Sequence, residues 1–149
     1  MMKTIIFVCH GNICRSVAAE YIMKNKLIKY HLDEDFNVVS RATSTEEIGN
    51  DIYPPMKRAL YNKEIPFYTH HAKQITKQDY ESASYIFYMD EFNKRNLSYL
   101  LDDYKKIIFP ITIYTPHLSQ IDDPWYTGQF DEVVEEIDEC LEDIIQRIR

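Results

Sequence analysis

Residues 4–16 read Thr-Ile-Ile-Phe-Val-Cys-His-Gly-Asn-Ile-Cys-Arg-Ser. Thr4 to Val8 is short, β-branched and aromatic, without polar alternation, which predicts a strand buried on both faces. From Arg15 the apolar residues Val17, Ala18, Tyr21, Ile22 and Leu27 fall near helical spacing, predicting a helix to about Tyr30. Between the two lies a loop that closes over a helix N-terminus. Such a loop turns its backbone N–H groups inward and, with the helix dipole, makes an anion nest from His10 to Ser16. Gly11 and Asn12 are residue types that tolerate left-handed backbone. Arg15 supplies a planar fork that grips two phosphate oxygens. Cys9, at the strand end, points into the same cradle, and cysteines in such settings have pKa values of about 3.5–7.5. Ser16 is in reach to hydrogen-bond the sulfur. A thiolate at the floor of a phosphate-sized cradle suggests attack on phosphorus.

Further along, strands are expected at Phe36–Ser40, Tyr85–Met89 and Ile107–Ile111. Helices are expected from Pro54 to Asn62, from Thr76 (with Asp79 completing a capping box), from Glu91 to Leu101, and over the apolar stripe Phe130 to Ile148. Residues 41–53 and 115–128 read as long loops. Alternating strands and helices predict a single-domain, three-layer α/β/α fold over residues 1–149, with a four-stranded parallel sheet and a phosphate-binding loop after strand 1. In such sheets ligands bind beyond the carboxyl ends of the strands, where the loops after Cys9, Ser40, Met89 and Ile111 gather.

Composition excludes other classes. Residues 128–149 hold eight acids and two bases, a net of −6 out of the chain's −7, so the remaining 127 residues are nearly neutral. That acidity fits one solvated helix face, and no basic stripe for nucleic acid appears. Three cysteines are too few for a disulfide scaffold. The N-terminal apolar run is too short for a signal peptide, and no run is long enough to span a membrane. The expectation is a cytoplasmic protein. His70 and His71 would point to opposite sides of an extended chain, so no metal pair is expected.

Cys-x5-Arg-Ser after an N-terminal strand resembles the low-molecular-weight protein tyrosine phosphatases. So do Ser40-Arg41-Ala42-Thr43-Ser44, His70-His71-Ala72-Lys73-Gln74-Ile75-Thr76, Tyr88-Met89-Asp90-Glu91-Phe92-Asn93 and Asp123-Pro124-Trp125-Tyr126, in order along nearly the whole chain. The resemblance implies that Cys9 is a nucleophile forming a cysteinyl-phosphate and that Arg15 and the loop amides (His10, Gly11, Asn12, Ile13, Cys14, Arg15, Ser16) hold the phosphoryl oxygens. It implies that Asp123 is general acid and then base, and that Asn12, Ser16, Ser40 and His70 support the loop. Trp125 and Tyr126 would wall the pocket, with Glu46 at its rim, where a carboxylate disfavours acidic peptides. Cys14 would form a reversible disulfide with Cys9. No metal or cofactor is implied. The implied substrate is a phosphotyrosine-containing protein, with inorganic phosphate as product or inhibitor, and a monomer or weak dimer is expected.

Val17 replaces the family's proline, Arg41 an alanine, Lys73 an arginine, and Glu46 an aromatic of animal relatives. These departures bear on which substrate binds. Three rivals share the scaffold or the loop. Thioredoxin-coupled arsenate reductase needs two further cysteines, and residues 75–100 contain none. Protein arginine phosphatase relatives carry Thr where this chain has Ile13. A non-enzymatic phosphate-binding module would lack Cys9, Arg15 or Asp123.

Overall fold

A computed structural model describes residues 2–149. The elements in chain order are β1 (Lys3–Cys9), α1 (Arg15–Lys29), β2 (Phe36–Ala42), α2 (Pro54–Asn62), α3 (Lys77–Ser82), β3 (Tyr85–Tyr88), α4 (Glu91–Leu100), β4 (Ile108–Pro110), α5 (Pro124–Thr127) and α6 (Phe130–Ile148). The four strands form one sheet in the order β2-β1-β3-β4, every pairing parallel. The expected fold class stands.

Side chains of β1 alternate between two cores, as the twofold period of a strand requires. Ile5, Phe7 and Cys9 face the larger core, with α1, α2 and α6. Ile6 and Val8 face the smaller one with Tyr80, Leu97 and Leu101 of α3, α4 and its end. With both faces covered, β1 reads as a continuous apolar run. Thr76 and Asp79 form the expected capping box. A second box joins Asp90 and Asn93 at the start of α4.

β1 pairs with β2 on one side and β3 on the other. The chain leaves β1 in one direction and later returns on the other side, so the β1/β3 junction is the switch point where ligands bind in open α/β sheets. The loops following β1 and β3 open there.

The main departure is α5, inside a stretch expected to be loop. Its signals are local: Asp123 caps it, Pro124 opens it, and Gly128 ends it at φ 74°. The run is too short for the helical period to register. No described helix is long and apolar enough to cross a membrane.

Candidate active site

Cys9 ends β1 and is 3% exposed. The N–H groups of Gly11, Asn12, Ile13 and Cys14 meet no protein acceptor among the described residues, so the loop offers them to an anion. The Ser16 N–H points at the Cys9 sulfur at 3.4 Å, and the Ser16 hydroxyl lies 3.1 Å from it. That hydroxyl accepts from Asn12 Nδ2 at 2.8 Å, which leaves its own proton for the sulfur.

Asn12 holds the loop in shape. It alone in the loop takes the left-handed conformation, at φ 61°. Its Nδ2 also donates to Ser40 Oγ at 2.9 Å, its Oδ1 accepts from Lys73 N at 3.1 Å, and its carbonyl accepts from His70 Nε2 at 2.6 Å. Ser40 in turn donates to Glu20 Oε1 at 2.6 Å. Burial pushes the His70 imidazole down, against the pull of its bond to the Asn12 carbonyl, so the neutral ring donates through Nε2. Gly11 does not use left-handed backbone, contrary to expectation. Its reason is space: a Cβ there would stand 3.3 Å from Glu47 Cγ.

Arg15 is 2% exposed and crosses the switch point. Its Nη1 donates to Asp90 Oδ2 at 2.6 Å and to the Ile121 carbonyl at 2.8 Å. Its Nη2 lies 3.4 Å from Asp123 Oδ2. Burial alone would lower its pKa, but Cys9, Asp90 and Asp123 together drive it upward. Asp123 Oδ1 is taken by the Trp125 N–H at 3.0 Å, so only Oδ2 faces the guanidinium and the cavity.

The cavity above Cys9 has a volume of about 160 Å³. Its walls include Ile13, Glu46, Asp123, Trp125 and Tyr126. Trp125 leans on Tyr53, with ring centroids 4.7 Å apart. His10 bonds Glu46 across the rim at 3.0 Å. Burial pushes the Cys14 thiol up, with the nearby Cys9 adding to it.

The structure thus gathers Cys9, His10 to Ser16, Ser40, Glu46, His70, Asp123, Trp125 and Tyr126 in one place. Two substituted positions do not face the cavity. Arg41 turns to Asp79 on α3 at 3.1 Å, and Lys73 contributes only its backbone N–H to Asn12. They sit by the support of Ser40 and Asn12, outside the lining of the cavity.

Sequence reasoning missed four supports. Asp90 anchors Arg15, Glu20 receives Ser40, Asp51 accepts the His70 N–H at 3.0 Å, and Tyr53 backs Trp125. The capping box at Asp90 was a usable signal for its position. The others are long-range contacts with no local signature.

Known proteins resemble this chain in sequence and fold. The family model described as low molecular weight phosphotyrosine protein phosphatase matches residues 4–149. A chicken (Gallus gallus) relative of that same name is 34% identical, the match covering 98% of this chain and 96% of the relative. The crystal structure of YfkJ from Bacillus subtilis superimposes with a TM-score of 0.95 at 30% identity, over 99% of this chain and 95% of that one. The low molecular weight protein tyrosine phosphatase of Streptococcus pyogenes superimposes with a TM-score of 0.87 at 33% identity, over 99% and 94% of the two chains.

Proposed function

The chain belongs to the low molecular weight phosphotyrosine protein phosphatase family, and on that premise we propose that Cys9 is its nucleophile, Arg15 its phosphoryl clamp and Asp123 its general acid and base. One observation carries the assignment: Cys9, Arg15 and Asp123 Oδ2 converge on a single cavity of about 160 Å³.

The phosphoryl dianion enters among the free loop N–H groups. Nη1 of Arg15 stays with Asp90, and the other guanidinium edge turns to the equatorial oxygens. Positioned donors of this kind supply most of the stabilisation of a loose phosphoryl-transfer transition state. The Cys9 thiolate attacks phosphorus as the P–O bond to the aryl group breaks. The proton on Asp123 Oδ2 passes to the departing oxygen. Asp123, now a carboxylate, takes a proton from water, whose oxygen attacks phosphorus and breaks the P–S bond. The product is inorganic phosphate, which competes with substrate for the same cradle. Ile13, Trp125 and Tyr126 suit an aromatic ring, and the depth of Cys9 below the surface favours an aryl phosphate over the shorter phosphoserine.

The same reading makes residues 1–149 one phosphatase domain acting in the cytoplasm as a monomer or weak dimer. Cys14, protonated and buried, is the thiol that closes a reversible disulfide onto an oxidised Cys9.

The test is hydrolysis of phosphotyrosine, phosphoarginine and phosphoserine peptides, with a chelator present. Phosphotyrosine is cleaved, C9S is inactive, and D123A loses about 10²–10⁴-fold in kcat. Cleavage of phosphoarginine alone would sink the phosphotyrosine reading, and an active C9S would sink the mechanism.

A further inference from the structure

A second cavity, of about 540 Å³, adjoins the reaction cavity and shares His10, Arg15, Asp123 and Tyr126 with it. A substrate that seats its phosphate over Cys9 brings a neighbouring residue to this second space. The rest of its wall includes Phe92 and Asn96 of α4, and Asp122 from the loop before α5.

Charge is spread unevenly over the two walls. Among the described residues, the basic side chains lining either cavity are Arg15 and His10 alone, against Glu46, Glu47, Asp90, Asp122 and Asp123. Arg15 is taken by Asp90 and Asp123, and His10 by Glu46. Glu47 and Asp122 pair with no cation among the described residues. Glu47 accepts from the neutral Asn50 amide at 2.6 Å, and Asp122 Oδ1 from the neutral Gln120 amide at 3.1 Å. Neither amide cancels a charge. The two carboxylates differ in place. Glu47 lies against Gly11 of the phosphate loop and lines only the reaction cavity. Asp122 is exposed and lines only the wider one, where a residue flanking the phosphotyrosine reaches it.

The charge of Asp122 is felt by its neighbours. The Glu136 carboxyl of α6 is pushed up by its own desolvation, then by Glu132 and Asp122, with His117 opposing least. An acidic flanking residue meets this field as repulsion, and an apolar one gains nothing from it.

The shape of the wall agrees with the charge. Phe92 and Tyr126, 70% and 84% exposed, present rings at the same mouth. Phe92 already carries one guanidinium, that of Arg95, at 5.6 Å from its ring centroid and outside the lining of the cavity. Aromatic rings beside an unpaired carboxylate suit a side chain with a long apolar stem and a cationic head.

Resting on the phosphatase reading above, we propose that Asp122 is a specificity-determining residue, selecting protein substrates with a lysine or arginine beside the phosphotyrosine. The stem of that side chain lies along Phe92 and Tyr126, and its cation pairs with the free carboxylate oxygen of Asp122.

The experiment measures kcat/KM for para-nitrophenyl phosphate and for three phosphotyrosine peptides flanked by Lys, Ala or Glu, in wild type, D122N, D122K and D33N. Asp33 is an exposed acid between α1 and β2, at the opposite edge of the sheet, so D33N makes the same change of net charge far from the site. At low salt, wild type favours the Lys peptide over the Glu peptide about tenfold, an exposed ion pair gained against a like repulsion avoided. High salt narrows that ratio. D122N lowers it, D122K inverts it, and D33N leaves it in place. No preference in wild type, a ratio unmoved by D122N, a ratio moved equally by D33N, or loss of para-nitrophenyl phosphate hydrolysis in D122N overturns the inference while leaving the phosphatase in place. No hydrolysis of any of the four substrates by wild type overturns the phosphatase reading itself.

Discussion

Asn12 shows how much one side chain and one dihedral carry. Asn12→Gly keeps the left-handed backbone at no cost but loses the amide bonds to Ser16, Ser40 and Lys73. Asn12→Ala loses the same bonds and adds the left-handed penalty, so it unfolds at lower urea, by about 1–2 kcal/mol, than Asn12→Gly. Asp90 acts on the chemistry through Arg15. Asp90→Ala leaves the guanidinium held by the Ile121 carbonyl and the longer contact to Asp123 alone, with room to drift, and misplacements of about 1 Å cost about 10²-fold in rate. Steady-state kinetics of Asp90→Ala and Asp90→Asn check this, the amide variant retaining more activity because it still accepts from Nη1. His70 gives the fold a pH dependence. Its folded pKa is lowered, so the unfolded chain takes up the proton first as pH falls. Its contribution is full above 6.5 and is lost as pH drops through the folded value. Asp51, held at about 2 by the Lys57 ammonium and the Ile52 and His70 N–H groups against the opposing effect of its desolvation, adds a second loss between 3.8 and about 2. His117, raised by Glu139, works the other way, contributing below 6.5 and fading above it, but the pair is exposed and screened by salt. Melting temperatures at high salt therefore fall from pH 7 to pH 5 in wild type and fall less in His70→Gln.

Among the elements, α1 and α6 are joined by a buried cation. Lys26 is 7% exposed and reaches Asp138 at 3.0 Å and Glu142 at 2.7 Å. Both carboxylates are partly solvated, so Lys26→Ala costs about 1–2 kcal/mol in urea unfolding, short of a fully buried pair. Lys24→Ala, two residues earlier and exposed, costs under about 0.5 kcal/mol. The elements were also where the sequence was most legible. α2 matches its expected limits, and β1, β2 and β3 differ by one or two residues at their ends. Periodicity and caps are local, and local signals are what a sequence displays. α5 is not legible because four residues make one turn and its cap, Asp123, reads as a catalytic acid. Its carboxylate divides its oxygens, one on the helix and the other toward Arg15. Gly11 reads as a conformational glycine, whereas the close approach of Glu47 comes from a loop more than thirty residues away.

At the scale of the whole molecule, the parallel order β2-β1-β3-β4 makes the site legible before any side chain is placed. The switch between β1 and β3 brings the loop of Cys9 to the loop of Asp90, and motif order supplies the proposed nucleophile, clamp and acid. What could not be read was the bracing, because Asp90, Glu20, Asp51 and Tyr53 act across distances that only the closed sheet removes. The same bracing bears on synthesis. Arg15 is anchored by residues 75 and 106 positions downstream. A nascent chain carries Cys9 and Arg15 almost from the start, yet the guanidinium is not held in place until Asp90 and Ile121 have left the ribosome and the sheet has formed around β1. The phosphate cradle is therefore unbraced for most of the chain's own synthesis.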